Sequence, residues 1–213
     1  MLPGLAREAA TRGLSGLEFA VGIPGSVGGA LQSNAGIGDG RDFGQLVRAV
    51  EVWRDGQRLR VERDELEFSY RSSSLRGSGD IVLGAALTLE PAAPSTIEAE
   101  MGRLLEARQA SQPTSSPNAG SIFRNPPDDF AGRLVEAAGC KGLRSGHAEV
   151  SQLHANFIVH DGQGTASDVA SLMAEVQARV LQDSGLRLRP EIVWWGDRDA
   201  PEAFFEETGG VAS

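Results

Sequence analysis

A single cysteine, Cys140, leaves no partner for an internal disulfide, so nothing in this chain calls for an oxidising compartment. Long apolar runs are missing too, and neither a helical membrane span nor a secretory leader is expected. Basic residues are outnumbered: 20 Lys and Arg face 29 Asp and Glu, for a formal charge of −9. A nucleic-acid partner is therefore disfavoured, because neutralising a phosphate backbone needs clustered cations. Three scattered His and one Cys provide no metal-ligand spacing, and no metal is implied. A cytoplasmic protein is the expectation. Cys140, between Gly139 and Lys141 behind a helical pattern, reads as a small packed thiol rather than a nucleophile.

What is present suits a globular α+β chain. The 213 residues are 40% hydrophobic and 23% charged, enough for one large or two small domains. Leu5 to Thr11 reads as the end of a helix, and Val47–Trp53 and Ile81–Leu89 read as strands from their β-branched and alternating apolar residues. Glu90-Pro-Ala-Ala-Pro-Ser95 is a Pro-rich linker. After it, Ile97, Met101, Leu104, Leu105 and Arg108 recur at helical spacing, which predicts a domain boundary near residue 91. A second helix through Phe130, Leu134 and Val135 stops at Gly139, a residue suited to a left-handed cap. A third opens on the capping pair Thr165 and Asp168. It carries the stripe Val169, Leu172, Met173, Val176, Val180 and Leu181 and ends at Gly185. From Asp197 to Ser213 the chain turns acidic and Gly-rich, as a loose tail would. No internal repeat is visible.

Two segments have the chemistry of sites. In Asn118-Ala-Gly-Ser-Ile-Phe-Arg-Asn-Pro126, Gly120 permits positive φ and close backbone approach, Pro126 fixes the chain direction, and Ser121 presents a hydroxyl that can donate a proton. Taken alone, the same pattern suits a Ser and an Asn that satisfy their own loop. In Gly22-Ile-Pro-Gly-Ser-Val-Gly-Gly29 the glycines leave backbone N–H groups uncovered, as a pyrophosphate cradle requires. The spacing is neither a Rossmann fingerprint nor a Walker loop, and a plain Gly-rich bend fits it as well. Arg71, Arg76, Arg124, Lys141 and Arg144 lie in or near these and related segments, where a diphosphate and a carboxylate would need cations.

Five ordered segments, from about Leu14 to Gly196, resemble the UDP-N-acetylenolpyruvoylglucosamine reductase family: Gly16–Gly29, Phe68-Ser-Tyr-Arg-Ser-Ser73, the Ser121 turn, His154-Ala-Asn-Phe-Ile-Val159, and Arg189-Pro-Glu-Ile-Val193. The resemblance implies an FAD-dependent, NADPH-consuming enzyme that reduces UDP-N-acetylglucosamine enolpyruvate to UDP-N-acetylmuramate for the bacterial cell wall, acting as a monomer. It further implies that Gly22, Ile23, Pro24, Gly25, Ser26, Gly28 and Gly29 wrap FAD. Ser121 would supply the C2 proton, Arg71 would face the substrate carboxylate and enolate oxygen, and Glu191 would orient the same group. Asn125, Arg124 and His154 would meet the diphosphate.

Departures from the family pattern are local. Ile37-Gly-Asp-Gly40 follows Asn34-Ala-Gly36 where a Tyr or His is usual, and Leu153 stands where a basic residue commonly precedes the His. His147 and His160 have no matching role. The family's N-terminal Gly-rich lobe has no counterpart. The expected organisation is therefore a partial FAD-binding domain at 1–91, a smaller α+β substrate-binding domain at 92–196, and a tail at 197–213. A non-catalytic nucleotide-sugar-binding remnant is the alternative, and an FAD-linked oxidase of the broader flavin fold a weaker one.

Overall fold

The computed structural model describes residues 1–195, which form two compact units that divide between Arg108 and Gln109. In the first, α1 (Leu2–Thr11) buries Leu2, Ala6, Ala9 and Ala10, an i, i+4, i+7, i+8 stripe along one face. Pro3 is tolerated because it lies in the first turn, where N–H groups have no helical partner. The helix end expected at Leu5 to Thr11 is the later part of α1. β1 (Leu14–Ser15) follows, then a 3₁₀ turn at Glu18–Gly22 and the short α2 (Val27–Ser33).

An antiparallel sheet supplies the rest of this unit's frame. β2 (Val47–Arg54) lies between β3 (Gln57–Glu62) and β6 (Ile81–Leu87), and Val47, Ala49, Val50 and Val52 are buried. Asp55 and Gly56 both take positive φ, 49° and 78°, the geometry a two-residue hairpin needs to match strand twist. Between these strands the chain forms a small hairpin, β4 (Phe68–Ser69) and β5 (Ser72–Ser73), with Arg71 at its tip.

The expected linker is short and partly structured. β7 (Glu90–Pro91) pairs with β1, and Pro94 already begins α3 (Pro94–Ser111). Ile97 and Met101 of α3 are buried in the first core, with Leu104 and Leu105 packed against it. That packing is why the units divide after Arg108 and not at 91: the composition break marks a turn, while the helix beyond it buries its apolar stripe in the first core.

The second unit has a four-stranded antiparallel sheet in the order β8 (Asn118–Ser121), β11 (Phe157–His160), β10 (Ala148–Val150), β9 (Arg144–Ser145). α4 (Ala131–Ala137) and α5 (Ala166–Ser184) complete it. Thr165 and Asp168 form the reciprocal capping box, and Gly185 ends α5 at φ 72°. Gly139, at φ 68°, follows the last turn of α4. Two stripe residues differ from expectation. Phe130 precedes α4 and is 66% exposed, and Leu181 is 44% exposed because α5 outruns the core in its final turn. Cys140 is buried among Ile122, Leu134, Val135 and their neighbours. Gly196 and the expected tail at 197–213 lie outside the described residues.

Candidate active site

The Gly-rich segment is two structures joined. Gly22 closes the 3₁₀ turn, and an added Cβ there would lie 3.2 Å from the Arg108 Cδ, so this glycine makes room for packing. Gly25, at φ 148°, turns the chain, and the Ser26 Oγ accepts the Gly29 N–H at 3.1 Å as the N-cap of α2. Gly28 and Gly29 therefore sit in the first helical turn. The Val27 and Gly28 N–H groups have no intrahelical acceptor there, and a Cβ at Gly25 or Gly28 would meet nothing within 4 Å. A helix start with such amides suits an anion.

α2 ends on Asn34, at φ 44° and 3% exposed, whose amide holds two distant segments. Its Oδ1 accepts the Gly44 N–H at 2.8 Å, and its Nδ2 donates to the Ser69 carbonyl at 3.0 Å. The Ser73 hydroxyl donates to the Gln32 carbonyl at 3.1 Å, and the Phe68 ring presses so closely on Gly44 that a Cβ would stand 2.5 Å from it. The β4–β5 hairpin is thus fastened at its base to α2 and to Gly44. At its tip Arg71 takes φ 55°, with its guanidinium 5.1 Å from the Tyr70 ring centroid.

In the second unit, Ser121 is the last residue of β8, paired with Phe157, so the expected turn is a strand end preceded by Gly120 at φ 81°. The following residues are held through their backbone groups. Ile122 donates to the Asn156 carbonyl at 2.9 Å and accepts from the Glu191 N–H at 2.8 Å, while Arg124 donates to the Arg189 carbonyl at 2.9 Å. Phe123 is held by one side chain: the Asn156 Oδ1 accepts its N–H at 2.9 Å and the Asn156 Nδ2 donates to its carbonyl at 2.8 Å. Arg189 to Trp195 forms no continuous strand. Pro190 has no N–H, and the contact reduces to a single bridge, Phe123 to Pro190, after which Val193 and Trp195 are exposed while Ile192 and Trp194 pack on the core. Gln177 of α5 steadies this returning segment by donating to the Leu188 carbonyl at 2.9 Å.

Asn125 accepts the Ala131 N–H at 3.0 Å and so anchors the start of α4, leaving its Nδ2 as a donor. His154 packs edge-on to Phe157, with ring centroids 4.9 Å apart, and its Nδ1 accepts the Asn156 N–H at 3.2 Å. Burial lowers its pKa from the ordinary imidazole range. The bonded Nδ1 is thus unprotonated and Nε2 carries the hydrogen, so His154 is a neutral donor. The predicted residues fall into two sets, the Gly-rich segment with Arg71 in the first unit, and Ser121, Arg124, Asn125, His154 and Glu191 in the second. Asn34 and Asn156 were missed as contributors. The sequence signal for both was an Asn inside a quoted motif. Among the described residues no cluster of His, Cys, Asp or Glu could hold a metal, and no helix is long and apolar enough to cross a membrane.

Comparison with known proteins gives one consistent result. The family described as UDP-N-acetylenolpyruvoylglucosamine reductase, C-terminal domain, matches residues 112–195. UDP-N-acetylenolpyruvoylglucosamine reductase 2 of Symbiobacterium thermophilum is 49% identical over 196 residues, covering 92% of this chain and 63% of that protein. The reductase of Moorella thermoacetica is 48% identical over 204 residues, 92% of this chain and 65% of its own length. The crystal structure of the reductase from Thermus caldophilus superimposes with a TM-score of 0.81 at 42% identity, covering 92% of this chain and 70% of that one. The chain therefore spans under two thirds of the length of the first two relatives.

Proposed function

The chain belongs to the UDP-N-acetylenolpyruvoylglucosamine reductase family, and from that premise we propose that it takes part in reducing UDP-N-acetylglucosamine enolpyruvate to UDP-N-acetylmuramate in the cytoplasm. The observation that carries the reading is the backbone frame around Phe123, which places the residue after Ser121 in direct hydrogen-bonded contact with Glu191. A hydroxyl and a carboxylate held on facing backbone suit a reaction in which a carbanion must be both stabilised and protonated.

The chemistry FAD would supply here, when bound, is the transfer of a hydride from NADPH to C3 of the enolpyruvyl group. Gly25, Ser26, Val27 and Gly28 would hold its pyrophosphate, since they lie at the start of α2 and no side chain at Gly25 or Gly28 closes the approach. Arg71 binds the substrate carboxylate and the developing enolate oxygen. Glu191 orients that group, and Ser121 gives its proton to C2. A Ser hydroxyl is a weak acid, but it serves here because the acceptor is a strongly basic carbanion held against it. Asn125 Nδ2, Arg124 and the neutral His154 donate to the diphosphate oxygens.

Ser121→Ala in a reductase carrying this sequence tests the reading. Flavin reduction by NADPH should stay nearly intact, while reduction of the enolpyruvyl group slows by about 10²–10⁴. Equal slowing of both half-reactions in stopped-flow traces would make Ser121 a structural residue. A second reading is a UDP-sugar-binding module without redox activity, favoured by the separate hydrophobic core of the second unit. A stoichiometric flavin spectrum after desalting the 213-residue chain would exclude it.

A further inference from the structure

We propose that Asn156 is a positioning residue for the reaction, holding Ser121 and Glu191 in one frame by standing in for a missing length of β-strand. The inference rests on the roles given above to those two residues. Asn156 is 4% exposed, and its side-chain amide makes to Phe123 the pair of bonds a neighbouring strand would make: acceptor to the N–H at 2.9 Å, donor to the carbonyl at 2.8 Å. These partners fix which way the amide faces, because only one orientation satisfies both. The β8–β11 ladder ends at Ser121 and Phe157 with one further backbone bond, from the Ile122 N–H to the Asn156 carbonyl, and beyond it the Asn156 side chain carries the pairing on to Phe123.

The bonds beyond Phe123 make this a device for positioning as well as packing. The Asn156 carbonyl takes the Ile122 N–H, and the Ile122 carbonyl takes the Glu191 N–H. Ser121 precedes that pair by one residue, and Glu191 closes it from the other side. Without the amide, Phe123 would have two buried backbone groups unpaired, and the stretch that references Ser121 to Glu191 would be free to shift. Asn fits where its near-isosteres fail. Leu offers neither bond, and an ionised Asp can accept from the Phe123 N–H but sets a negative oxygen against the Phe123 carbonyl.

That last contrast gives the test. In an Asn156→Asp variant of the full 213-residue chain, the introduced carboxyl is ionised at about pH 8.5. Lowering the pH to about 6 protonates it, since burial beside a carbonyl raises its pKa, and restores both bonds. At the higher pH the amide NMR signals of Ser121, Ile122 and Glu191 should move. Affinity for UDP-N-acetylglucosamine enolpyruvate should fall about tenfold, and at the lower pH both should return to wild-type behaviour at that pH. His154, whose ring accepts the Asn156 N–H, is the titratable group in contact, and the wild-type chain at both pH values controls for it; Arg124 and Glu191 flank the clamp. Asn156→Leu should show the shifts and the weaker binding at both pH values. Unmoved Ser121 and Glu191 signals in the Asp variant overturn the proposal, as does a loss of affinity that persists at pH 6. If the wild-type chain binds no ligand, the functional reading falls, and the amide signals alone decide the clamp.

Discussion

Each unit holds its proposed site residue with a buried asparagine, yet the two asparagines work differently. Asn34 spends its amide on two segments far apart in sequence, Gly44 and Ser69, and so cross-links a turn to the Arg71 hairpin. Asn156 spends both atoms on one residue, Phe123, and extends a sheet. A cross-link opposes the entropy of a loop, whereas a ladder extension satisfies backbone groups already close to their places. The first device is therefore the more costly to lose. The hairpin has only two short paired strands and an exposed tip, while the Phe123 stretch keeps bonds to Arg189 and Glu191 on its other side.

Removing the cross-link gives the largest effect expected in this comparison. Asn34→Ala strands the Gly44 N–H and Ser69 carbonyl and should destabilise the first unit by about 1–3 kcal/mol. Amide exchange should quicken across residues 66–76, with the second unit's core strands unchanged. Equal loss of protection in both units would show that the division at Arg108 is not a division in stability.

Arg71 sharpens the contrast by a smaller effect of opposite sign. A non-glycine residue at φ 55° is strained by about 1 kcal/mol, and the hairpin tip would be better served by Gly. Arg71→Gly should leave the first unit as stable as before or up to about 1 kcal/mol more stable. Reduction of the enolpyruvyl substrate should nonetheless collapse. A clear loss of stability would mean that the Arg71 side chain, with its stacking on Tyr70, is there for the fold.

The family was legible from its ordered motifs, and the long helices and main strands because periodicity and caps are local: Thr165, Asp168 and Gly185 bound α5 where the sequence put them. The domain boundary was misplaced because composition marks a break in regular structure but not the side on which a following helix buries its stripe. Arg189–Trp195 carries β-branched and aromatic residues that suit a strand, yet it makes only one bridge. Its pairing is decided by Pro190 and by a partner almost seventy residues earlier, neither of which periodicity reads. Ser121, Arg71 and Glu191 are proposed from motifs. The residues that hold them could not, because an Asn that completes a distant backbone has no spacing to betray it.

Gly28 offers the smallest effect and separates a binding loop from an ordinary helix start. It lies in the first turn of α2, outside the positive-φ set, and an added Cβ would meet nothing within 4 Å. On stability alone, alanine is the better residue there. Gly28→Ala restricts the unfolded chain and should stabilise the first unit by about 0.5 kcal/mol, read as a small rise in the denaturation midpoint. If the amides of Gly25 to Gly28 receive a pyrophosphate, the same methyl group stands where the ligand must approach. FAD affinity, followed by quenching of flavin fluorescence, should then fall while stability rises. Opposed changes of that kind identify a glycine kept for a ligand. A rise in stability with FAD affinity unchanged would make this segment a plain Gly-rich bend and leave the second unit to carry the proposed binding.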